Sequence, residues 1–175
     1  MPSSYNDNIW NKLISEEDFI IKKRYSNIVG QDEKNRVEKW DLRFLQLAKN
    51  VATWSRDPSR QVGSVIVRSD KSIVSLGYNG FARGVNDTTE RYENRDQKYE
   101  LIVHAEVNAV ISSRQSVDAC TLYSSLYPCS RCAAIIINSG IKRVVSYKPP
   151  ENDSKVNFDL TTTQFNEAQL EVALY

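Results

Sequence analysis

The order in which this chain changes its hydrophobic period limits its fold more than any other feature. Two short β-branched runs, Val62–Arg68 and Ser72–Tyr78, are separated only by Ser69-Asp70-Lys71, the pattern of a β-hairpin. Ahead of them, Leu42, Leu45, Ala48 and Ala52 recur at helical spacing, with Phe44, Val51 and Trp54 widening the stripe. Val37–Arg56 therefore reads as a buried helix that ends near Asp57-Pro58. Beyond the hairpin, the pattern predicts a helix over His104–Arg114 and a strand near Cys120–Ser124. A helix over Cys129–Ser139 follows, closed by Gly140, then a strand over Ile141–Tyr147. Strands interleaved with helices argue for a layered α/β domain with helices on both sheet faces.

Three segments lie outside this alternation. The N-terminal residues differ in character from the rest and read as a helical extension, 1–36, ahead of a domain over 37–175. Ser15 would cap a helix with Glu16, Glu17 and Asp18 in its first turn, and Gly30 would stop it. The stretch Asn79–Lys98 is charged, lacks apolar periodicity and reads as a long functional or mobile loop. After Pro149-Pro150, Phe165–Tyr175 fits either a last helix or a strand, because Leu170, Val172 and Leu174 alternate.

Lys plus Arg number 23 and Asp plus Glu 22, a net charge of +1, so no whole-protein field draws in a polynucleotide or an acidic membrane. Acids and bases alternate around Asn86–Glu100, where a nucleic-acid binder would need a basic stripe with aromatics. The longest apolar run, Ala133–Ile137, falls far short of the ~20 residues that span a bilayer. Met1–Asp7 lacks the basic and apolar regions of a secretory signal, and the expected location is the cytoplasm. In a reduced compartment, two cysteines three apart point to a metal before a disulfide.

The only histidine, His104, stands in His104-Ala105-Glu106, and two of the three cysteines stand in Pro128-Cys129-Ser130-Arg131-Cys132. Either motif alone has an ordinary structural reading. Together His104, Cys129 and Cys132 offer one nitrogen and two thiolates, a donor set suited to Zn²⁺, with the fourth tetrahedral position left for water as catalytic zinc requires. Both motifs fall at expected helix starts, whose partial positive charge favours thiolates. Glu106, two residues from His104, is placed to shuttle a proton. Cys120, opening an apolar strand, reads as a buried small hydrophobe and not as a fourth ligand. Trp10, Trp40 and Trp54 read as packing residues.

His104-x-Glu106 and Pro128-Cys129-x-x-Cys132 match the signature of zinc nucleobase deaminases. Within that group, the region from Val37 to Tyr147 resembles deoxycytidylate (dCMP) deaminases. The matching pieces are Trp40-Asp41, Ala48-Lys49, Val51-Ala52, Val62-Gly63-Ser64-Val65-Ile66-Val67, Gly77-Tyr78-Asn79-Gly80, Asn108-Ala109, Leu122-Tyr123 and Gly140-Ile141-Lys142-Arg143-Val144-Val145. The resemblance implies a three-layer α/β/α cytidine-deaminase-like fold around a mixed sheet of about five strands.

It also implies hydrolysis of dCMP to dUMP and ammonia for thymidylate synthesis. A zinc-activated water would attack C4 of cytosine, and Glu106 would carry the water proton to N3 and help the amino group leave. Asn79 would bond the sugar or base, and the Ala105 backbone would contact the ring. Arg56, Arg60, Arg83 and Arg131 are candidates for the phosphate, each with an ordinary solvated reading beside it. Relatives are often hexamers, activated by dCTP and inhibited by dTTP at an interface site with Mg²⁺, and Gly77, Tyr78, Asn79 and Gly80 match the stretch they use. Ala82, where the family often has proline, departs from the pattern. The alternatives are a deaminase of another cytosine nucleotide or base, and a non-catalytic zinc-containing nucleotide-binding subunit, against which Glu106 argues.

Overall fold

The computed structural model describes residues 31–149 and 158–175. The N-terminal helix expected after Ser15 lies outside the described residues. The chain divides into two compact units, Met1–Trp40 and Asp41–Tyr175. Of the first, the described part is helical; the second contains every strand among the described residues.

Helix α1 spans Gln31–Ala52. Its buried stripe within the second unit is Asp41, Phe44, Leu45, Ala48, Val51 and Ala52. Two members of the expected stripe differ, for Leu42 is 47% exposed and Trp54 54%. Leu42 falls off the face set by positions 41, 45 and 48, and Trp54 lies beyond the helix. The helix also stops before the expected Arg56, because Thr53, Trp54 and Ser55 donate their N–H groups to carbonyls three residues back and tighten the chain into a turn.

The hairpin is present as β1 (Gly63–Val67) and β2 (Ile73–Tyr78), antiparallel, with a register shift between Ile66 and Val67. Asn79–Lys98 is not the loop expected. It forms β3 (Gly80–Phe81), α2 (Thr89–Glu93) and the start of α3 (Arg95–Leu101), and β3 pairs with β4 (Ile102–Val103). These short elements have no apolar stripe to read because single side chains hold them. Tyr92 stacks on Phe81 with ring centroids 4.5 Å apart, Asn94 caps α3 by accepting from Gln97 N, and buried Lys98 pairs with Asp57.

Helix α4 (Ala105–Ser112), β5 (Thr121–Ser124), α5 (Ser130–Asn138) and β6 (Arg143–Ser146) follow where expected, each a little shorter than the sequence pattern. The tail contains both of the alternatives: α6 over Phe158–Glu167 and β7 over Glu171–Leu174. The main sheet has five strands in the order β2-β1-β5-β6-β7, with β1 antiparallel to β2 and β5, and β5, β6 and β7 parallel.

Two glycines show how helices reach both faces of this sheet. A Cβ on Gly63 would stand 2.2 Å from the Ala48 carbonyl oxygen of α1, and a Cβ on Gly77 would stand 2.3 Å from that of Ala105 in α4. Gly77 is paired with Ser64, the neighbour of Gly63, and successive strand residues point to opposite faces. Helices α1 and α4 therefore lie on opposite sides, and the architecture is the expected α/β/α layering. On the α1 side, buried Asp41 takes two hydrogen bonds from the Arg143 guanidinium, both at 2.7 Å, with Tyr123 and Tyr175 hydroxyls donating to the same carboxylate. On the other side, α5 packs against α4 and α6 against α5.

Candidate metal and catalytic site

The two sequence motifs meet at the ends of helices. His104 is the N-cap of α4 (φ −72°, ψ 156°) and Cys129 the N-cap of α5 (φ −77°, ψ 167°), while Cys132 lies in the first turn of α5. Neither residue's side chain makes a standard capping hydrogen bond, and the imidazole and the Cys129 thiol face each other. His104 Nδ1 is 3.2 Å from Cys132 Sγ and 3.4 Å from Cys129 Sγ, and the three donor atoms lie within 4.8 Å of one another. A tetrahedral zinc with ordinary Zn–S and Zn–N bonds separates nitrogen from sulfur by about 3.6 Å, so this donor set fits the ion in chemistry and in spacing. Exposure falls from His104 through Cys129 to Cys132, and the cluster opens to solvent on the histidine side.

Electrostatics in the cluster favour ionisation of one sulfur. Cys129 is pulled down to about 4, chiefly by the hydrogen bond from Cys132, with burial opposing and His104 adding to the pull. Cys132 is pushed up by that same bond and by burial, and His104 is raised first by its bond to Cys129.

Glu106 lies beneath the cluster, 4% exposed, with Oε2 3.6 Å from Cys132 Sγ. Its other oxygen, Oε1, faces the Ser124 hydroxyl at 3.5 Å, and Ser64 donates to Ser124 Oγ at 3.2 Å. Ser64 and Ser124 are register partners on adjacent strands, so the sheet sets this hydroxyl pair under the carboxylate. Burial, the largest influence, pushes the Glu106 carboxyl above its ordinary range, with the His104 charge opposing.

The family model for the cytidine and deoxycytidylate deaminase zinc-binding region matches residues 38–148, which include every group in this cluster. The chain belongs to the cytidine and deoxycytidylate deaminase family. It is 41% identical over 151 residues to a probable deoxycytidylate deaminase of Caenorhabditis elegans, covering 81% of this chain and 75% of that protein. With the deoxycytidylate deaminase of Homo sapiens it shares 39% identity over 121 residues, 66% of this chain and 68% of the other. The fold is that of a cyanophage S-TIM5 dCMP deaminase solved with dCMP and dUMP, with a TM-score of 0.61 at 20% identity, covering 84% of this chain and 99% of that one.

Within this deaminase fold the other sequence candidates have separate places. Ala105 is the first residue of α4, where a backbone N–H has no partner inside the helix. Gly77 is filled by α4, as above. Asn79 is buried, and its side chain serves the 57–62 loop: Oδ1 accepts from Val62 N at 2.7 Å, and Nδ2 donates to the Arg60 carbonyl at 2.9 Å and to Asp57 Oδ2 at 3.3 Å. Both amide protons are thereby used within the protein. Tyr78 is exposed, with its ring edge-on to Trp54, and Gly80 faces open space. Of the arginine candidates, Arg56 lies 3.5 Å from Asp87, Arg83 and Arg131 are exposed, and Arg60 gives its carbonyl to Asn79. Cys120 is buried as expected and is raised by that burial. The sequence pattern had no signal for Ser64 and Ser124, since serines inside an apolar strand look like interruptions until the register pairs them.

Proposed function

We propose that this chain hydrolyses dCMP to dUMP and ammonia, with zinc held by His104, Cys129 and Cys132 and with Glu106 as the proton carrier. The observation that carries this reading is the approach of the three donor atoms to one another beside a buried carboxylate, in a chain whose relatives are named deoxycytidylate deaminases. Bound zinc supplies Lewis acidity that makes water a nucleophile at neutral pH. Glu106 Oε2, on the cluster side, takes the proton of the attacking water and delivers it to N3 of the ring, then aids departure of the amino group as ammonia. A carboxyl whose affinity for protons is raised by burial suits both halves of that exchange. The N-terminal N–H groups of α4, beginning at Ala105, face the ring as donors. Asn79, which also holds the 57–62 loop, is the side chain that bonds the sugar or base of the nucleotide.

The reading includes a cytoplasmic homo-oligomer, a hexamer by resemblance, that supplies dUMP for thymidylate synthesis. Activation by dCTP and inhibition by dTTP, with Mg²⁺, belong to the same proposal at Gly77–Gly80, where Tyr78 and Gly80 are the members left facing outward. Among the described residues no helix is long and apolar enough to cross a membrane.

The test is ammonia release and loss of cytosine absorbance with zinc-loaded protein on dCMP, CMP, deoxycytidine, dCTP and a short single-stranded oligonucleotide, each with and without dCTP and Mg²⁺. Turnover of dCMP, abolished in Glu106→Gln with zinc content unchanged, is expected. Turnover of a different substrate overturns the choice of dCMP, and activity surviving Glu106→Gln overturns the role of the carboxylate. Inertness toward every substrate favours the non-catalytic subunit.

A further inference from the structure

Cys129 sits in a turn that is gripped from outside by the C-terminal helix. On one side of it, the Thr161 hydroxyl of α6 donates to the Pro128 carbonyl at 3.0 Å; on the other, Gln164 Nε2 donates to the Ser130 carbonyl at 3.2 Å. One residue further out, the Tyr127 ring meets Phe158 and Phe165 edge-on, at 5.7 Å and 6.2 Å between centroids, and its hydroxyl lies 3.3 Å from Thr162 Oγ1.

Thr161 is the telling member of this group. Thr162 and Thr163 turn their hydroxyls back on their own helix, to the carbonyls of Phe158 and Asp159 four residues earlier, the usual local bond of a helical threonine. Thr161 is fully buried and instead reaches across to another element. A hydroxyl in that position would be costly without a partner, and its partner is the carbonyl of the peptide that leads into Cys129. The Pro128 and Ser130 carbonyls mark the peptide planes before and after the Cys129–Ser130 link, so fixing both fixes the backbone that aims the Cys129 sulfur.

We infer that Thr161 and Gln164 are positioning residues for Cys129, and that retention of zinc depends on the C-terminal helix through these two hydrogen bonds. The inference rests on the assignment of Cys129 as a zinc ligand. Partners that orient a metal ligand typically contribute 10–100-fold in affinity, that is, roughly one to two powers of ten.

The experiment measures the rate at which the full-length zinc-loaded protein gives up its metal to the chromogenic chelator 4-(2-pyridylazo)resorcinol, beside the unfolding midpoint of the metal-free protein. Thr161→Val, which keeps shape and loses the donor, is expected to release zinc about tenfold faster. Thr161→Ser, which keeps the hydroxyl, should restore the wild-type rate. Gln164→Ala, at a half-buried position, should accelerate release by a smaller factor and decides the matter if Thr161→Val fails to fold. Wild-type release rates in both Thr161→Val and Gln164→Ala overturn the inference. So does faster release in Thr161→Val that Thr161→Ser does not repair and that follows a lower midpoint of the metal-free protein. Cys129→Ser separates the two levels: full zinc retention there defeats the ligand assignment itself, whereas loss of zinc there with wild-type release in both Thr161→Val and Gln164→Ala defeats only the role of α6.

Discussion

Gly77 lies directly against the first turn of α4: a Cβ at this position would stand 2.3 Å from the Ala105 carbonyl oxygen and 2.3 Å from Ala109 N. Those are backbone atoms, and they cannot move without moving the helix that begins beside His104 and carries Glu106. The Gly-Tyr-Asn-Gly stretch thus has a structural duty in the site in addition to any contact with a nucleotide.

Gly77→Ala is therefore expected to destabilise the fold by about 3 kcal/mol, the upper part of the range for overpacking, and to lower zinc content per chain. Gly80→Ala is the control, since nothing stands within 4 Å of a Cβ there, and it should change stability by less than about 0.5 kcal/mol. Denaturant unfolding and metal analysis of the two variants check this.

The hydroxyl relay from Ser64 through Ser124 to Glu106 Oε1 holds one carboxylate oxygen while the other faces the cluster. Ser124→Ala should lower kcat about fivefold with KM little changed, the effect of losing roughly 1 kcal/mol of hydrogen bonding to a group that works in the transition state. Steady-state kinetics on dCMP at constant zinc loading make the comparison. A fall confined to KM would contradict it.

Lys98 Nζ lies 2.7 Å from Asp57 Oδ1, and both side chains are buried. Burial works to raise the Asp57 carboxyl, but the bonds from Lys98, Ser59 and Arg60 outweigh it and hold the group below its usual value. Because the folded pKa is depressed, the stabilisation is fully present above the unfolded value of about 3.9 and is lost as pH falls through the folded one. The stability difference between wild type and Asp57→Asn should stay flat from neutral pH to about 5 and shrink below about 4. Lys98→Met, which strands a buried carboxylate, should cost about 3–5 kcal/mol at pH 7.

Removing zinc should leave Cys129 as the most reactive thiol. At pH 6 a group held near 4 is ionised, while Cys132 and Cys120 are buried and pushed up. Iodoacetamide followed by peptide mass mapping should label Cys129 in chelator-treated protein and spare it in the zinc-loaded form. Labelling of Cys120 ahead of Cys129 would count against this ordering.

The readable parts of the fold were those with a local period. The hairpin, α4, β5, α5 and β6 all stand within a few residues of where apolar spacing, Gly140 and the cap positions put them. The segment after Asn79 was not readable, because a stacked Phe81–Tyr92 pair and a buried Lys98–Asp57 pair replace the apolar stripe by which short helices announce themselves. Helix α6 did leave a trace, Phe158, Thr161 and Phe165 on one buried face, but a threonine in that row is ambiguous until its partner is known.

The sequence by itself determined the chemistry available to this protein: a single histidine, a Cys-x-x-Cys pair and a glutamate two residues from the histidine, each at the start of a helix. Tertiary structure alone decided how that chemistry is held. Ser64 lies 60 residues from Ser124, Ser124 lies 18 from Glu106, and Thr161 and Gln164 lie 33 and 34 from the carbonyls they hold on either side of Cys129; strand register and helix packing bring these pairs into contact. Asn79, conspicuous in sequence, is turned inward by the same packing, because buried amide protons must find acceptors and the 57–62 loop supplies them. A local pattern encodes the elements and their ends, while long-range hydrogen bonds, which have no period, fix where the functional side chains point.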